Sequence, residues 1–393
     1  MLLTTLQILG WLAVGLSIFF VAATAGFDFG AGILSKFVGK TDDEKRTIIN
    51  AVAPTWDGNQ VWFIIAGGLL FAVFPQVYAS SFSGLYFAIL LVLWALFLRP
   101  VAFEYRHKID SDKWRGWWDW MLLMGSLLPV LVMGVAVGNI YLGFPIQYDE
   151  TARLIYGSVV DGGYSSMWYN LVMLLTPFAL YFGIFAVVMI LMHGAAYCAF
   201  RTGGVVRQRC QKLVRVFSVL FFLMFLGAAF WLVWPKGFQW NAQGLPHFSS
   251  ALNYPWTSGD FIRQDTWYHN YFQHIWMWIA PIVALMGALT AFSQSGKGND
   301  RGAFVGSVGA VLGSVFTMGF ALFPFLMPSY ADPKFSLTLF NASSSTASLV
   351  AIEIVAAIMF PVICMYTYYV YSKMWKDRRI TPEEVQEKAH ELY

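Results

Sequence analysis

Charged residues are scarce in this 393-residue sequence. Asp, Glu, Lys and Arg make up 12% of it, against about 25% in an average soluble domain. Hydrophobic residues make up 58%, so a water-soluble fold of this length would expose large apolar patches. The net charge of +3 is also too small for an electrostatic nucleic-acid binder. The composition predicts a polytopic membrane protein.

Motifs of metal, redox and nucleotide sites are missing as well. The three cysteines include no CxxC pair, and the six histidines include no His-x3-His pair. The sequence contains no P-loop, no GxGxxG and no GxSxG motif. From its residues alone we therefore assign no metal site, no redox centre and no catalytic residue to this chain.

Long apolar runs are abundant, and a helix needs about 20 apolar residues to cross ~30 Å of hydrocarbon. We treat 1–393 as a single transmembrane domain with a short cytoplasmic tail at 375–393, where Thr381 and Pro382 suit the start of a helix. No Lys or Arg precedes Lys36, so we expect the first span to be retained rather than cleaved. The nine predicted spans are about 6–35, 52–76, 80–103, 117–143, 168–200, 213–235, 270–292, 302–327 and 345–374.

Lys and Arg are distributed unevenly between the two ends of these spans. With alternating topology, 21 of the 25 fall on one side. Positive charge marks the cytoplasmic side of a membrane protein. We therefore expect an N-terminus outside, a C-terminus in the cytoplasm and an odd number of spans. The four basic residues on the other side are Arg153, Lys236, Arg263 and Lys334.

Two carboxylates fall inside the membrane near the cytoplasmic side. Ionisable groups at this depth are costly and are functional candidates by default. Asp28 lies roughly 12 Å deeper than Lys36, at 1.5 Å per residue. Asp57 opens the second span, so the two carboxylates are candidate steps of a proton relay. The alternatives are a carboxylate that only bonds a neighbouring helix and an N-terminal capping cluster. Secondary candidates for the same proton pathway are Trp56, Asn59, Gln60, Glu104 and Glu353.

Three more ionisable residues lie near span ends. Arg99 closes the third span and could pair with a carboxylate of the first or second. Glu104 follows Arg99. The alternative to a functional role for Glu104 is a solvent-exposed ion pair with Arg106, worth less than ~1 kcal/mol. Glu353 has apolar flanks in the outer third of the ninth span, so its partner must come from another helix or another subunit.

These stretches resemble subunit II of the cytochrome bd-type quinol oxidases. That family has Gly-Phe-Asp-x-Gly in the first helix, Trp-Asp-Gly-Asn-Gln-Val-Trp at the start of the second and Arg-Pro-Val-x-Phe-Asp/Glu-Tyr-Arg after the third. One departure is Asn341, where many relatives have Asp, and it weakens a proton-exit role there. The similar stretches here are Gly26–Gly30, Trp56–Trp62, Arg99–Arg106, Gly134–Asn139, Phe323–Ser329 and Ser336–Ser344.

The resemblance implies two four-helix bundles plus a peripheral helix, in the bacterial cytoplasmic (inner) membrane. It implies a larger subunit I that carries haems b558, b595 and d, oxidises ubiquinol or menaquinol and reduces O2 to water in the aerobic respiratory chain. Asp28, Asp57 and Arg99 match the residues proposed to pass cytoplasmic protons toward the oxygen-reducing haem. Some family members hold a structural quinone. Membrane lipids and small single-helix accessory subunits are further candidate partners.

Two other functions compete with this interpretation. A stand-alone proton-coupled secondary transporter would also need intramembrane carboxylates and glycine-rich helices. However, the sequence has no pair of Gly/Pro-interrupted spans at corresponding positions of two halves. A pure assembly scaffold is the third class, and neutral substitutions at Asp28 and Asp57 would then leave turnover unchanged.

Overall fold

A computed structural model describes residues 2–148, 154–156, 171–240, 261–263, 266–374 and 379–387 of the chain. Eight helices in these ranges are long and apolar enough to cross a membrane, and a bent pair, α3 with α4, makes up to nine. The predicted helical membrane fold is confirmed at this level. In chain order the helices are α1 (Leu2–Val38), α2 (Asp42–Val52), α3 (Trp56–Val73), α4 (Pro75–Gly84), α5 (Tyr86–Tyr105), α6 (Asp112–Leu142), α7 (Pro177–Arg201), α8 (Gly204–Trp231), α9 (His269–Gln273), α10 (Ile275–Gly296), α11 (Asp300–Leu322), α12 (Thr346–Met374) and α13 (Pro382–Glu387).

Three short antiparallel ribbons join the helices, and the sequence analysis did not predict them. Each ribbon has two strands and lies in the connection after α6, α8 or α11. The eighth predicted span, 302–327, therefore reaches beyond its helix, which ends at Leu322 before Pro324, a residue that cannot donate a backbone hydrogen bond. The strands are β1 (Ile146–Tyr148), β2 (Leu154–Tyr156), β3 (Phe238–Trp240), β4 (Phe261–Arg263), β5 (Phe325–Met327) and β6 (Leu337–Thr338).

Several helix ends differ from the predicted spans. The fifth span is predicted from 168, but α7 begins at Pro177, with the Thr176 hydroxyl accepting from Ala179 N at 3.1 Å. Residues 168–170 lie outside the described part of the chain, as do 375–378 and 388–393 of the predicted tail. In the described tail, the Thr381 hydroxyl accepts from Glu384 N at 3.3 Å, which is the N-cap contact expected there.

The first helix connects two groups of helices. Its N-terminal half packs against α3 and α12, whereas its C-terminal half packs against α6 and α7. The halves meet in a wide turn, Val21–Ala25, where Gly26 N bonds Val21 O five residues back instead of four. Such an extra residue turns the following helix by about 100° relative to a regular one. The wide turn therefore sets which neighbours the second half faces.

Glycine permits a close backbone-to-backbone contact of this second half. A Cβ on Gly30 would lie 2.4 Å from Ile190 O and 2.7 Å from the Cα of Gly194. Both neighbours belong to the backbone of α7, which cannot move away as a flexible side chain could. A similar contact joins α10 and α11, where a Cβ on Gly313 would lie 2.2 Å from Ala284 N. Small residues thus carry the helix packing, as membrane helices require.

We expect Gly30→Ala to destabilise the protein by about 1–3 kcal/mol, because its methyl group must push α1 and α7 apart. Thermal loss of monodispersity in detergent measures the effect. Gly15→Ala is the matched control on the same helix, since a Cβ there meets no described atom within 4 Å. Equal midpoints for the two variants would contradict this account of the helix contact.

A buried ion cluster ties α2, α5 and α6 together at one end of the bundle. Asp119 accepts from Lys45 Nζ at 2.7 Å and from Arg106 Nε at 2.7 Å. Arg106 also donates through Nη2 to Asp42 at 2.7 Å. The Arg106 and Asp119 side chains are each only 4% exposed. Removing Asp119 would therefore leave the buried Arg106 with only the partly exposed Asp42 as a counter-charge.

We expect Asp119→Asn to cost about 3 kcal/mol of stability, because it leaves Arg106 buried without a full counter-charge. Asp112→Asn is the control, since the side chain of Asp112 is 98% exposed and its pair with Arg115 is worth at most about 1 kcal/mol. Thermal midpoints of the two variants in one detergent compare them. A loss as small for Asp119→Asn as for Asp112→Asn would refute a structural role for the cluster.

Candidate functional site: a buried carboxylate between four helices

Asp28 is fully buried in the second half of α1. Its Oδ2 accepts a hydrogen bond of 2.8 Å from the side-chain amide of Asn59, which is itself buried on α3. Its other oxygen, Oδ1, has no hydrogen-bond partner among the described residues. A buried carboxylate with one satisfied oxygen is costly, and such groups concentrate at functional sites.

Arg99 provides the nearby positive charge. It is buried on α5, its guanidinium carbon lies 4.2 Å from the centre of the Phe29 ring, and it interacts electrostatically with Asp28. The two side chains are not among the direct ion pairs of the described residues, and Arg99 Nε and Nη2 have no protein partner there. Ordered water commonly satisfies polar groups of this kind. The pair thus forms a polar cluster inside an apolar bundle.

Tyr371 completes the cluster from α12, and the sequence analysis missed it. Its hydroxyl donates to Asn59 Oδ1, the amide oxygen opposite the Asp28 contact. Next to Tyr371, the ring of Phe27 stacks on Tyr197 of α7 with centroids 3.9 Å apart. Tyr371 and Asn59 are 312 positions apart, so no local spacing links them. The one available signal was a hydroxyl near the end of an apolar span.

Asp57 does not join this cluster. It is exposed on α3 and makes no hydrogen bond or ion pair with the described residues. Positions 57 and 59 are separated by about 200° around a helix. When Asn59 faces Asp28, Asp57 therefore points away from the bundle. The structure therefore brings Asn59, rather than Asp57, beside Asp28. Of the other residues in this stretch, Trp56 packs on Phe103 with centroids 5.3 Å apart, and Gln60 Nε2 is buried without a described partner.

The remaining candidates lie away from Asp28. Glu104 is exposed at the end of α5. Glu353 faces α1 near Gly10, where an added Cβ would come within 3.3 Å of its Oε1, and that oxygen has no hydrogen-bond partner among the described residues. Glu353 and Tyr371 are 18 positions apart on α12, about 27 Å at 1.5 Å per residue. Glu353 therefore lies nearly one membrane thickness from the Asp28 cluster.

Asn341 uses both ends of its amide to hold the turn after β6. Oδ1 accepts from Thr338 N at 2.7 Å, and Nδ2 donates to Ser336 O at 3.0 Å. An ionised Asp at this position could keep the first bond but could not donate the second. The departure noted in the sequence thus has a structural explanation in this chain.

His193 is fully buried on α7, and the protein occupies both of its ring nitrogens. Nδ1 lies 2.8 Å from the Ser307 hydroxyl, and Nε2 lies 2.8 Å from Ala23 O in the wide turn of α1. Because a carbonyl can only accept, Nε2 must donate to Ala23. These contacts leave no nitrogen of His193 free for a haem iron. Within the described residues, no three His, Cys, Asp or Glu side chains are grouped for a metal ion.

An apolar cavity of about 170 Å³ lies between α6, α7, α8, α10 and α11. Four of its five hydroxyls already donate to backbone carbonyls, namely those of Tyr268, Tyr271, Ser314 and Thr317. Such a lining fits an apolar chain better than a polar head group. Representative lining residues are Val137, Phe182, Met189, Phe225, Trp267 and Met318.

Comparisons with known proteins agree with the helical membrane fold. The sequence profile described as "Cytochrome bd terminal oxidase subunit II" matches residues 6–374. The chain belongs to the cytochrome bd terminal oxidase subunit II family. The "Cytochrome bd-I ubiquinol oxidase subunit 2" of Escherichia coli (strain K12) is 38% identical over 391 residues, which cover 99% of this chain and 98% of that protein.

A more distant relative supports the same conclusion, and a solved structure shares the fold. The "Cytochrome bd ubiquinol oxidase subunit 2" of Bacillus subtilis (strain 168) is 30% identical over 353 residues, covering 88% of this chain and 90% of that one. The fold matches "The structure of bd oxidase from Geobacillus thermodenitrificans" with a TM-score of 0.67 and 15% identity, over 94% of this chain and 98% of that one. This bd oxidase subunit II is thus part of an oxidoreductase complex, and the transporter alternative finds no support.

Proposed function

We propose that this subunit II delivers protons to a haem-bearing subunit I through Asp28. A bd-type oxidase in which subunit I oxidises quinol and reduces O2 to water must supply four protons to each O2. Protons taken from the cytoplasm need polar groups along an otherwise apolar route. The observation that carries the proposal is the buried carboxylate of Asp28, held by Asn59 beside the buried Arg99.

Subunit I, in this proposal, carries haems b558, b595 and d. The engaged nitrogens of His193 support that assignment, because they leave this buried histidine unable to ligate iron. The apolar cavity between α6, α7, α8, α10 and α11 fits the tail of a structural quinone or of a membrane lipid. The lining would contact that tail through apolar atoms. A molecule bound there has no role in electron transfer in this proposal.

The proposed topology has nine spans, with α3 and α4 counted as one broken span. The N-terminus lies outside and the C-terminus in the cytoplasm of a bacterial inner membrane, since 21 of the 25 basic residues then fall inside. The ion cluster around Asp119 and the end of α1 are on the cytoplasmic side in this arrangement. Asp28 is then reached from the cytoplasm. The helices form two four-helix bundles with one peripheral helix.

We assign contact with subunit I to an outward stripe of α3. Its members recur at helical spacing, and two of them, Ile64 and Phe71, are 75% and 59% exposed. A Cβ on Gly58 or Gly68 would meet no described atom within 4 Å, so a partner helix can approach closely at both. Asp57 would thereby face the partner and not Asp28. The stripe consists of Asp57, Val61, Ile64, Gly68 and Phe71.

We expect Asp28→Asn to lower oxygen consumption of the purified complex by about tenfold or more, because an amide cannot take up and release the proton. Asp57→Asn should slow turnover by about threefold, because we place the entrance of the proton path at Asp57, on the α3 stripe that faces subunit I. Asp110→Asn is the control, since that side chain is 96% exposed. Turnover is measured per haem, with haem content read from dithionite-reduced visible spectra.

Assembly must stay intact for these rates to be informative. Full haem content with normal turnover in both Asp28→Asn and Asp57→Asn would reject proton delivery and leave the scaffold function. Normal turnover in Asp57→Asn alone would reject only the role given to the α3 stripe.

We expect Gly68→Leu to release subunit I during purification while the chain itself still folds, because leucine favours a helix but blocks close approach. The yield of subunit I that copurifies with a tagged chain measures this, with an expected fall of about fivefold or more. Gly116→Leu is the control, since it also has open space around its Cα but lies on α6. Undiminished copurification with Gly68→Leu would remove the α3 stripe from the interface.

A further inference from the structure

The Asn59 amide has two different ends, and each contacts a different residue of the site. Nδ2 can only donate, and it faces Asp28 Oδ2 at 2.8 Å. Oδ1 can only accept, and it faces the hydroxyl of Tyr371. Rotation of the amide by 180° would exchange these ends. The side chain is 2% exposed, so bulk water does not compete for either end.

The two contacts favour one another through the direction of their hydrogen bonds. An ionised Asp28 can only accept, so it requires Nδ2 on its side of the amide. Oδ1 then faces Tyr371, whose hydroxyl must donate. After the reverse rotation, Oδ1 would face the carboxylate oxygen, and two acceptors would meet. A phenol hydroxyl can also accept, so the ionised carboxylate selects this rotamer, and the hydroxyl of Tyr371 then holds it by donating to Oδ1.

We propose that Tyr371 is a positioning residue that fixes the Asn59 amide with its N–H toward Asp28. This inference rests on the proposed role of Asp28 in proton delivery and adds a residue of α12 to it. Tyr371 holds the donor that Asp28 needs each time it returns to the ionised state. The amide itself carries no proton in this scheme, since it has no ionisable hydrogen at ordinary pH.

The test uses Tyr371→Phe in the purified complex, which keeps the ring and removes only the hydroxyl. We expect turnover per haem to fall about fivefold, equivalent to about 1 kcal/mol, the net value of one hydrogen bond. The KM for quinol should not change, because substrate binding is not involved. Tyr368→Phe is the matched control on the same helix, since Tyr368 is 77% exposed and has no described hydrogen bond. It should keep wild-type turnover.

A double mutant separates positioning from a general packing effect. Asn59→Leu removes the amide, so adding Tyr371→Phe to it should cause no further slowing. The same fivefold loss in both backgrounds would overturn the proposal, as would normal turnover of Tyr371→Phe beside a slow Asp28→Asn. Normal turnover of Asp28→Asn would reject the proposed function itself, and this inference with it. A loss of haem in Tyr371→Phe alone would assign Tyr371 a structural role and also overturn the proposal.

Discussion

The structure depends on holding one carboxylate inside a bundle that offers it almost no water. Asp28 is fully buried, and its hydrogen bond to Asn59 and the field of Arg99 are the interactions that offset its desolvation. Three helices other than its own supply Asn59, Arg99 and Tyr371. A change in the packing of any of them alters the surroundings of the carboxylate. The helix contacts and the candidate site are therefore parts of one arrangement.

The close approach of α1 and α7 is what makes this arrangement possible. Gly30 and Gly194 bring the two backbones together, and His193, which is adjacent to Gly194, bonds Ala23 O across the same interface. The second half of α1 is thereby fixed in height and in rotation. Away from this contact, the ion cluster around Asp119 fixes α2 against α5 and α6. Glycine contacts in the apolar region and ion pairs at the bundle end thus both stabilise the packing of the helices.

Much of this could be predicted from the sequence, and the failures have physical causes. Apolar runs gave the spans, and the cost of a charge in hydrocarbon singled out Asp28 and Arg99. Which of Asp57 and Asn59 faces inward depends on the rotation of α3, and no local pattern specifies that rotation. Tyr371 was missed because its contact spans 312 positions. The ribbons were missed because their strands are two or three residues long and lie within apolar or aromatic connections.

The wide turn of α1 also determines which kinds of mutation this helix can accept during evolution. Substitutions within Val21–Ala25 keep the number of residues between the two halves, so each half retains its own neighbours. Loss of one residue would turn the segment into an ordinary helix and rotate one half against the other by about 100°. The N-terminal half would then lose its fit to α3 and α12, or Asp28 would leave Asn59. Deletion of one residue from this short segment would therefore disturb the structure more than a change in one of its side chains.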